Sequence, residues 1–165
     1  MRLTLAVVFS CLAFGAAAAE NAPAPGPAAP ATAAPAPAAY SPGLSDIMSG
    51  AQWRHLKLGY AGEVKNWPLA AFEAAQMRNN FVKAAQYFPE FEKVPVAKLI
   101  KQFSEPALDE VDAAIKARNA TAFLQSFGRL TEACNSCHKA AAKGFIKIRV
   151  PTSSPFSNQV FPPGP

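Results

Sequence analysis

The chain is poor in the residues that usually carry chemistry. It has three cysteines and two histidines in 165 residues, and only 16% of its residues are charged. There is no dense Lys/Arg run, and the aromatics fall on apolar stripes, so no nucleic-acid-binding motif is present. No stretch alternates apolar and polar residues convincingly, which argues against a strand-rich fold. The longest apolar run, Leu3 to Phe14, is too short for a stable membrane span. Proline is plentiful at 16, but much of it lies near the two ends, leaving residues 44–144 free to be helical. The net charge is a modest +5, and loss of Arg2 with the N-terminal segment would remove one unit.

What the chain does have is Cys134-Asn135-Ser136-Cys137-His138. This is C-x-x-C-H, the spacing of a c-type haem attachment site. On a helix, residues three apart share a face, so both thiols can reach one edge of a macrocycle and become thioethers. The adjacent imidazole can then turn under the ring as the proximal iron ligand. Three other readings use the same residues. A structural zinc site needs four ligands. Beyond these three the mature chain offers only His55, and neighbouring Cys137 and His138 cannot easily share one tetrahedral metal. A thioredoxin-like pair belongs in a strand-rich fold, and a plain disulfide remains open in an oxidising compartment.

Residues 1–19 have one cation, Arg2, then the apolar run, then Gly15 and four alanines, the layout of a secretory signal cleaved before Glu20. A lipoprotein reading at Cys11 is weaker, because Phe9 fits that pattern poorly. Export supports the haem reading, since in bacteria haem is joined to C-x-x-C-H outside the cytoplasm; a periplasmic location is expected. Residues 20–43 are Ala and Pro in near alternation, a semi-rigid spacer or a low-complexity arm.

Residues 44–144 are long enough for one core. Their apolar period is helical throughout. Leu44, Met48, Ala51, His55, Leu58 and Gly62 form a first stripe, with Ser45 or Asp46 to cap its start and Gly62 near its end. Asn66 caps the second segment and Pro68 fits its first turn. Its stripe is Ala70, Ala74, Met77, Phe81, Ala84 and Phe88. The third segment should kink or split at Pro106. The fourth starts at Asn119 or Thr121, carries Phe123, Phe127, Leu130, Cys134 and Cys137 or His138, and stops at Gly144. Four such segments with short connections predict an all-α, antiparallel up-down four-helix bundle.

An exported chain, four helices and C-x-x-C-H late in the last helix together resemble the class II c-type cytochromes, the cytochrome c prime group and its low-spin relatives. The resemblance covers residues 44–144. It implies one covalent haem c, with Cys134 and Cys137 as attachment points and His138 as the proximal ligand. Many members have an aromatic-Arg pair one turn after the histidine. Here that turn is Ala140-Ala141-Ala142-Lys143, which marks a divergent branch. The low-spin relatives take a methionine from the first helix as sixth ligand, and relatives are often dimers, so a homodimer stays open.

The sixth ligand decides the function class. In an up-down bundle the start of the first helix lies beside the end of the fourth. At about 1.5 Å per residue, His138 lies roughly 9 Å from its helix end, Met48 about 6 Å from the first helix start and His55 roughly 16 Å. Met48 matches His138 better in height, and a thioether suits electron transfer. His55 and an open five-coordinate iron are the alternatives. Filled by Met48, the site is that of an electron carrier with redox partner proteins and no enzymatic activity; open, it would bind NO or CO. A peroxidase would need a distal acid/base, which only His55 could supply. Arg54 and Lys57 flank the first stripe and could pair with haem carboxylates, although a solvated face is the simpler reading. Residues 145–165 contain Phe145, Ile146, Ile148, Phe156 and Phe161, too apolar for a free tail, and should pack back on the bundle.

Overall fold

The computed structural model describes residues 41–164; the expected signal segment, 1–19, and nearly all of the expected linker, 20–43, lie outside the described residues. The described chain is all-helical. Helices α1 (Leu44–Glu63) and α2 (Trp67–Tyr87) are followed by a third rod in three pieces, α3 (Val96–Leu99), a π turn (Ile100–Ser104) and α4 (Glu105–Lys116), and then by α5 (Ala120–Ala140). Among the described residues the only strand-like pairing is a single bridge between Phe91 and Val94. No described helix is long and apolar enough to cross a membrane.

The helix ends are built from backbone geometry more than from glycine. Three helices close with the same pair of bonds. After α1, the amides of Lys65 and Asn66 donate to the carbonyls of Gly62 and Ala61; after α4, Arg118 and Asn119 donate to Ile115 and Ala114. After α5, Ala142 and Lys143 donate to Lys139 and His138. This is the Schellman arrangement, which needs one residue in the left-handed region. Lys65 (φ 59°), Arg118 (φ 50°) and Ala142 (φ 56°) fill that place. In the first two cases the next residue is an asparagine that caps the following helix: the Asn66 side chain accepts from the Leu69 amide and that of Asn119 from the Ala122 amide. Lys-Asn and Arg-Asn are therefore complete stop-and-restart turns.

Three sequence-based expectations change here. Neither Ser45 nor Asp46 caps α1; the helix begins at Leu44, and Asp46 reaches back to accept from the Gly43 amide at 3.0 Å. Gly62 does not end α1 but is buried inside it. Gly144 does not end α5, which stops at Ala140 because Ala142 takes the left-handed turn. An L-residue there carries a steric cost that glycine lacks, so Ala142→Gly is expected to raise stability by about 1 kcal/mol, read as a higher urea midpoint at unchanged m-value. Pro106 does mark a break. It has no N–H and its ring crowds the carbonyl of Gln102. The chain answers with the π turn just before it, where the Glu105 amide donates to the carbonyl of Ile100.

The rods pack as α1 on α2, α2 on α4, α4 on α5 and α5 on α1. The predicted stripes supply the core: Ala51, His55 and Leu58 from α1, Ala74, Met77 and Phe81 from α2, and Phe123, Phe127 and Leu130 from α5 are all buried. Burying each large side chain contributes roughly 1.5–3 kcal/mol. The α1–α5 contact is a small-against-large fit. Gly59 faces the ring of Phe127 and Gly62 faces the ring of Phe123, while His55 meets Thr131.

Candidate functional site

Cys134, Cys137 and His138 lie on the last turns of α5, two residues before its end in the case of His138. The helix stops earlier than the sequence predicted, so His138 is about 3 Å from its end rather than roughly 9 Å. Cys137 is buried, Cys134 is half-buried against the core, and both are free thiols. Burial, and beyond it the neighbouring Cys137, push the Cys134 thiol up to about 12; burial raises Cys137 too. Both are thus protonated at neutral pH, the opposite of the low-pKa thiolate that a redox-active pair needs. Among the described residues, no three His, Cys, Asp or Glu side chains converge to hold a metal ion, which gives the zinc reading no support.

The chain after α5 returns over the motif. His138 Nδ1 lies 3.0 Å from the carbonyl oxygen of Ile146. A carbonyl can only accept, so Nδ1 carries the proton and donates. In the neutral ring Nε2 is then the bare nitrogen, the atom a proximal ligand presents to iron. Asn135, inside the motif, donates from Nδ2 to the Ile148 carbonyl at 3.0 Å and accepts at Oδ1 from the Ile148 amide at 2.8 Å. Sequence patterning marks Ile146 and Ile148 only as apolar tail residues and carries no signal for Asn135 or for these backbone contacts.

Three adjoining hollows surround these groups. One of about 200 Å³ is lined by Met48, His55, Met77, Phe81, Cys134 and His138, among others. A second, about 380 Å³ and strongly apolar, includes Met48, Phe88, Leu99, Ile100, Cys137 and His138 in its walls. A third, about 480 Å³, shares His55 and Gln52 with the first and is rimmed by Lys147 and Arg149 of the tail. Met48 and His138 border both of the first two, with one cysteine in the wall of each. A flat, largely apolar group tethered at Cys134 and Cys137 fits this donor set and these walls.

Compared with family models, curated proteins and solved structures, the chain matches none. The reading of the site therefore rests on its own residues.

His55 is placed differently from Met48. Its ring is 3% exposed, stacks on Phe127 with centroids 4.5 Å apart, and has Nε2 at 2.9 Å from Thr131 Oγ1. The Thr131 hydroxyl already donates to the Phe127 carbonyl, so its oxygen accepts and His55 Nε2 carries the proton. Nε2 is thus committed within the core. Burial lowers its pKa from 6.5 to about 4. As pH falls, the unfolded chain takes up this proton before the folded one. The associated stability is intact above about pH 6.5 and is lost progressively towards pH 4, a loss of about 3 kcal/mol. Chemical denaturation across that range should show the slope, and His55→Gln should flatten it.

Arg54 and Lys57 are not a free solvated face. Arg54 reaches 3.0 Å from the carboxylate of Glu73, which is buried on α2 at 2% exposure. Lys57 lies over the ring of Phe156, 4.8 Å from its centroid. That ring packs on Trp53, and Phe161 packs on Tyr60 while its carbonyl accepts from Asn66 Nδ2 at 2.8 Å. Through these contacts Phe156 and Phe161 lie against α1. Lys147 and Arg149 line the third hollow, and Lys143, ion-paired with Glu92 at 3.0 Å, lines the second; sequence patterning did not single them out.

Proposed function

We propose that the protein is an exported monohaem c-type cytochrome of the class II type, a periplasmic electron carrier and not an enzyme. Its fold would be an antiparallel up-down bundle. Cys134 and Cys137 would hold one haem c by thioether bonds, His138 would present Nε2 as proximal ligand, and Met48 would be the distal one. When bound, the haem supplies an iron that cycles between ferric and ferrous states. Cys134, Cys137, His138 and Met48 would hold it, and the apolar walls of the two hollows they border would keep water from it.

One observation carries this reading. The contacts pair His55 with Thr131, Gly59 with Phe127 and Gly62 with Phe123. Moving up α1 moves down α5 by nearly the same number of residues, which supports antiparallel neighbours. Carried seven residues back from His55, the same register brings residue 48 level with residue 138. Met48 and His138 also border the same two hollows. His55 lies two turns deeper, with its Nε2 bound to Thr131. The apolar character of the 380 Å³ hollow favours the second reading, a five-coordinate protein that binds NO or CO, should Met48 not reach the iron. Electron exchange would be with redox partner proteins; neither nucleic acid nor a membrane span enters, and a homodimer is compatible with it.

The test is the visible spectrum of the exported, matured protein, oxidised and reduced, with and without CO. Low-spin bands that ignore CO are expected. High-spin bands with ready CO binding would move the assignment to gas binding, and absence of covalent haem would overturn both.

A further inference from the structure

We infer that Asn135, one of the two variable positions inside the C-x-x-C-H motif, is a positioning residue: by clamping the tail across the end of α5 it holds the His138 ring in its ligand orientation. The inference rests on the haem reading for its redox consequence, although the clamp itself is a feature of the chain alone.

The segment between the end of α5 and Pro151 has little else to hold it. Phe145 is 78% exposed, Ile146 42% and Val150 47%, so burial contributes little. Lys143 is tied by the turn that closes α5 and by its ion pair with Glu92 at 3.0 Å; beyond it the Ile146 amide donates back to the Lys143 carbonyl, and past Ile146 the described tail makes no further backbone–backbone bond. Against that background Asn135 spends both ends of its amide on one residue, Ile148, at 3.0 and 2.8 Å. The two bonds fix which end of the amide is oxygen, because the Ile148 carbonyl cannot donate and its amide cannot accept. Ile146 stands two residues earlier, and its carbonyl is the acceptor for His138 Nδ1. Fixing Ile148 therefore fixes the reach of the Ile146 carbonyl, and that carbonyl fixes the tautomer and rotation of the ring. Asn135 and His138 are three residues apart on one helix face, so a single short segment can bridge both.

A ligating imidazole whose other nitrogen donates a hydrogen bond is a stronger donor to its metal. Such a donor favours ferric iron and lowers the midpoint potential. Losing the clamp should raise the potential while Cys134, Cys137, His138 and Met48 are all retained.

The experiment compares the matured wild-type protein with Asn135→Ala and Asn135→Asp. Covalent haem, checked by mass, is expected in all three. In Asn135→Ala, trypsin should cut after Lys147 and Arg149 faster by on the order of tenfold, as two hydrogen bonds are lost. Its midpoint potential should also rise. Asn135→Asp keeps the acceptor for the Ile148 amide and should lie between on both readings, which also covers the case in which the alanine variant folds poorly. Unchanged proteolysis would show that the side chain does not hold the tail. Faster proteolysis at an unchanged potential would show that the tail does not orient His138. Should the wild type carry no covalent haem, the cytochrome reading fails separately. The ring nitrogens of His138, read by ¹⁵N NMR, then replace the potential: a tautomer that Asn135→Ala leaves unchanged overturns the inference.

Discussion

Met48→Ala is expected, on the proposed cytochrome reading, to open the iron: low-spin bands should give way to high-spin bands, CO should bind readily, and the midpoint potential should fall. The physical reason is that alanine has no donor atom, whereas the methionine thioether is a soft ligand that favours ferrous iron. Met48 is only half-buried and sits in the walls of the two hollows that His138 also borders. Its truncation should therefore change ligation more than folding. The control is Met77→Ala. Met77 borders the smaller hollow too, but it is 1% exposed and belongs to the core of α2. Truncating it should destabilise the bundle by about 2–5 kcal/mol while leaving the spectrum low-spin. A Met48→Ala protein whose spectrum and CO response match the wild type would end the assignment of Met48 as sixth ligand.

A large loss of stability is also expected from Gly62→Val. A Cβ at this position would fall on Cε1 and Cζ of the Phe123 ring, well inside contact distance. The ring cannot easily step aside. It is fully buried, stacked on Phe127 at 5.7 Å and met edge-on by Trp67 at 6.1 Å. The helices α1 and α5 must separate or the ring must leave its rotamer. Overpacking usually costs 1–3 kcal/mol, and this site should reach or exceed about 3 kcal/mol. Gly62→Ala should follow at a smaller cost. Equilibrium denaturation gives the measurement; a Gly62→Val protein within about 1 kcal/mol of wild type would show that the α1–α5 contact is far more plastic than its geometry implies.

Local features of this chain are legible in one dimension. Four helical stripes, the caps at Asn66 and Asn119, the break before Pro106 and the late C-x-x-C-H motif could each be read because each is a short-range pattern. Periodicity, a missing N–H or a side-chain acceptor acts within a turn or two of its own residue. Tertiary structure decided the features that need two distant segments to meet. Gly62 looks like a helix stop in one dimension, and only the ring of Phe123 shows that it is a contact point. Ala142 looks like a helix former, and it takes the left-handed turn because the chain must fold back over α5. Arg54 looks solvated until Glu73, 19 residues away, is found buried beneath it. The same holds at the candidate site. The motif names Cys134, Cys137 and His138, but the ring orientation of His138 depends on a carbonyl eight residues on and on an amide clamp between Asn135 and Ile148. No spacing rule encodes those contacts, because they arise from how an irregular tail settles on a finished helix.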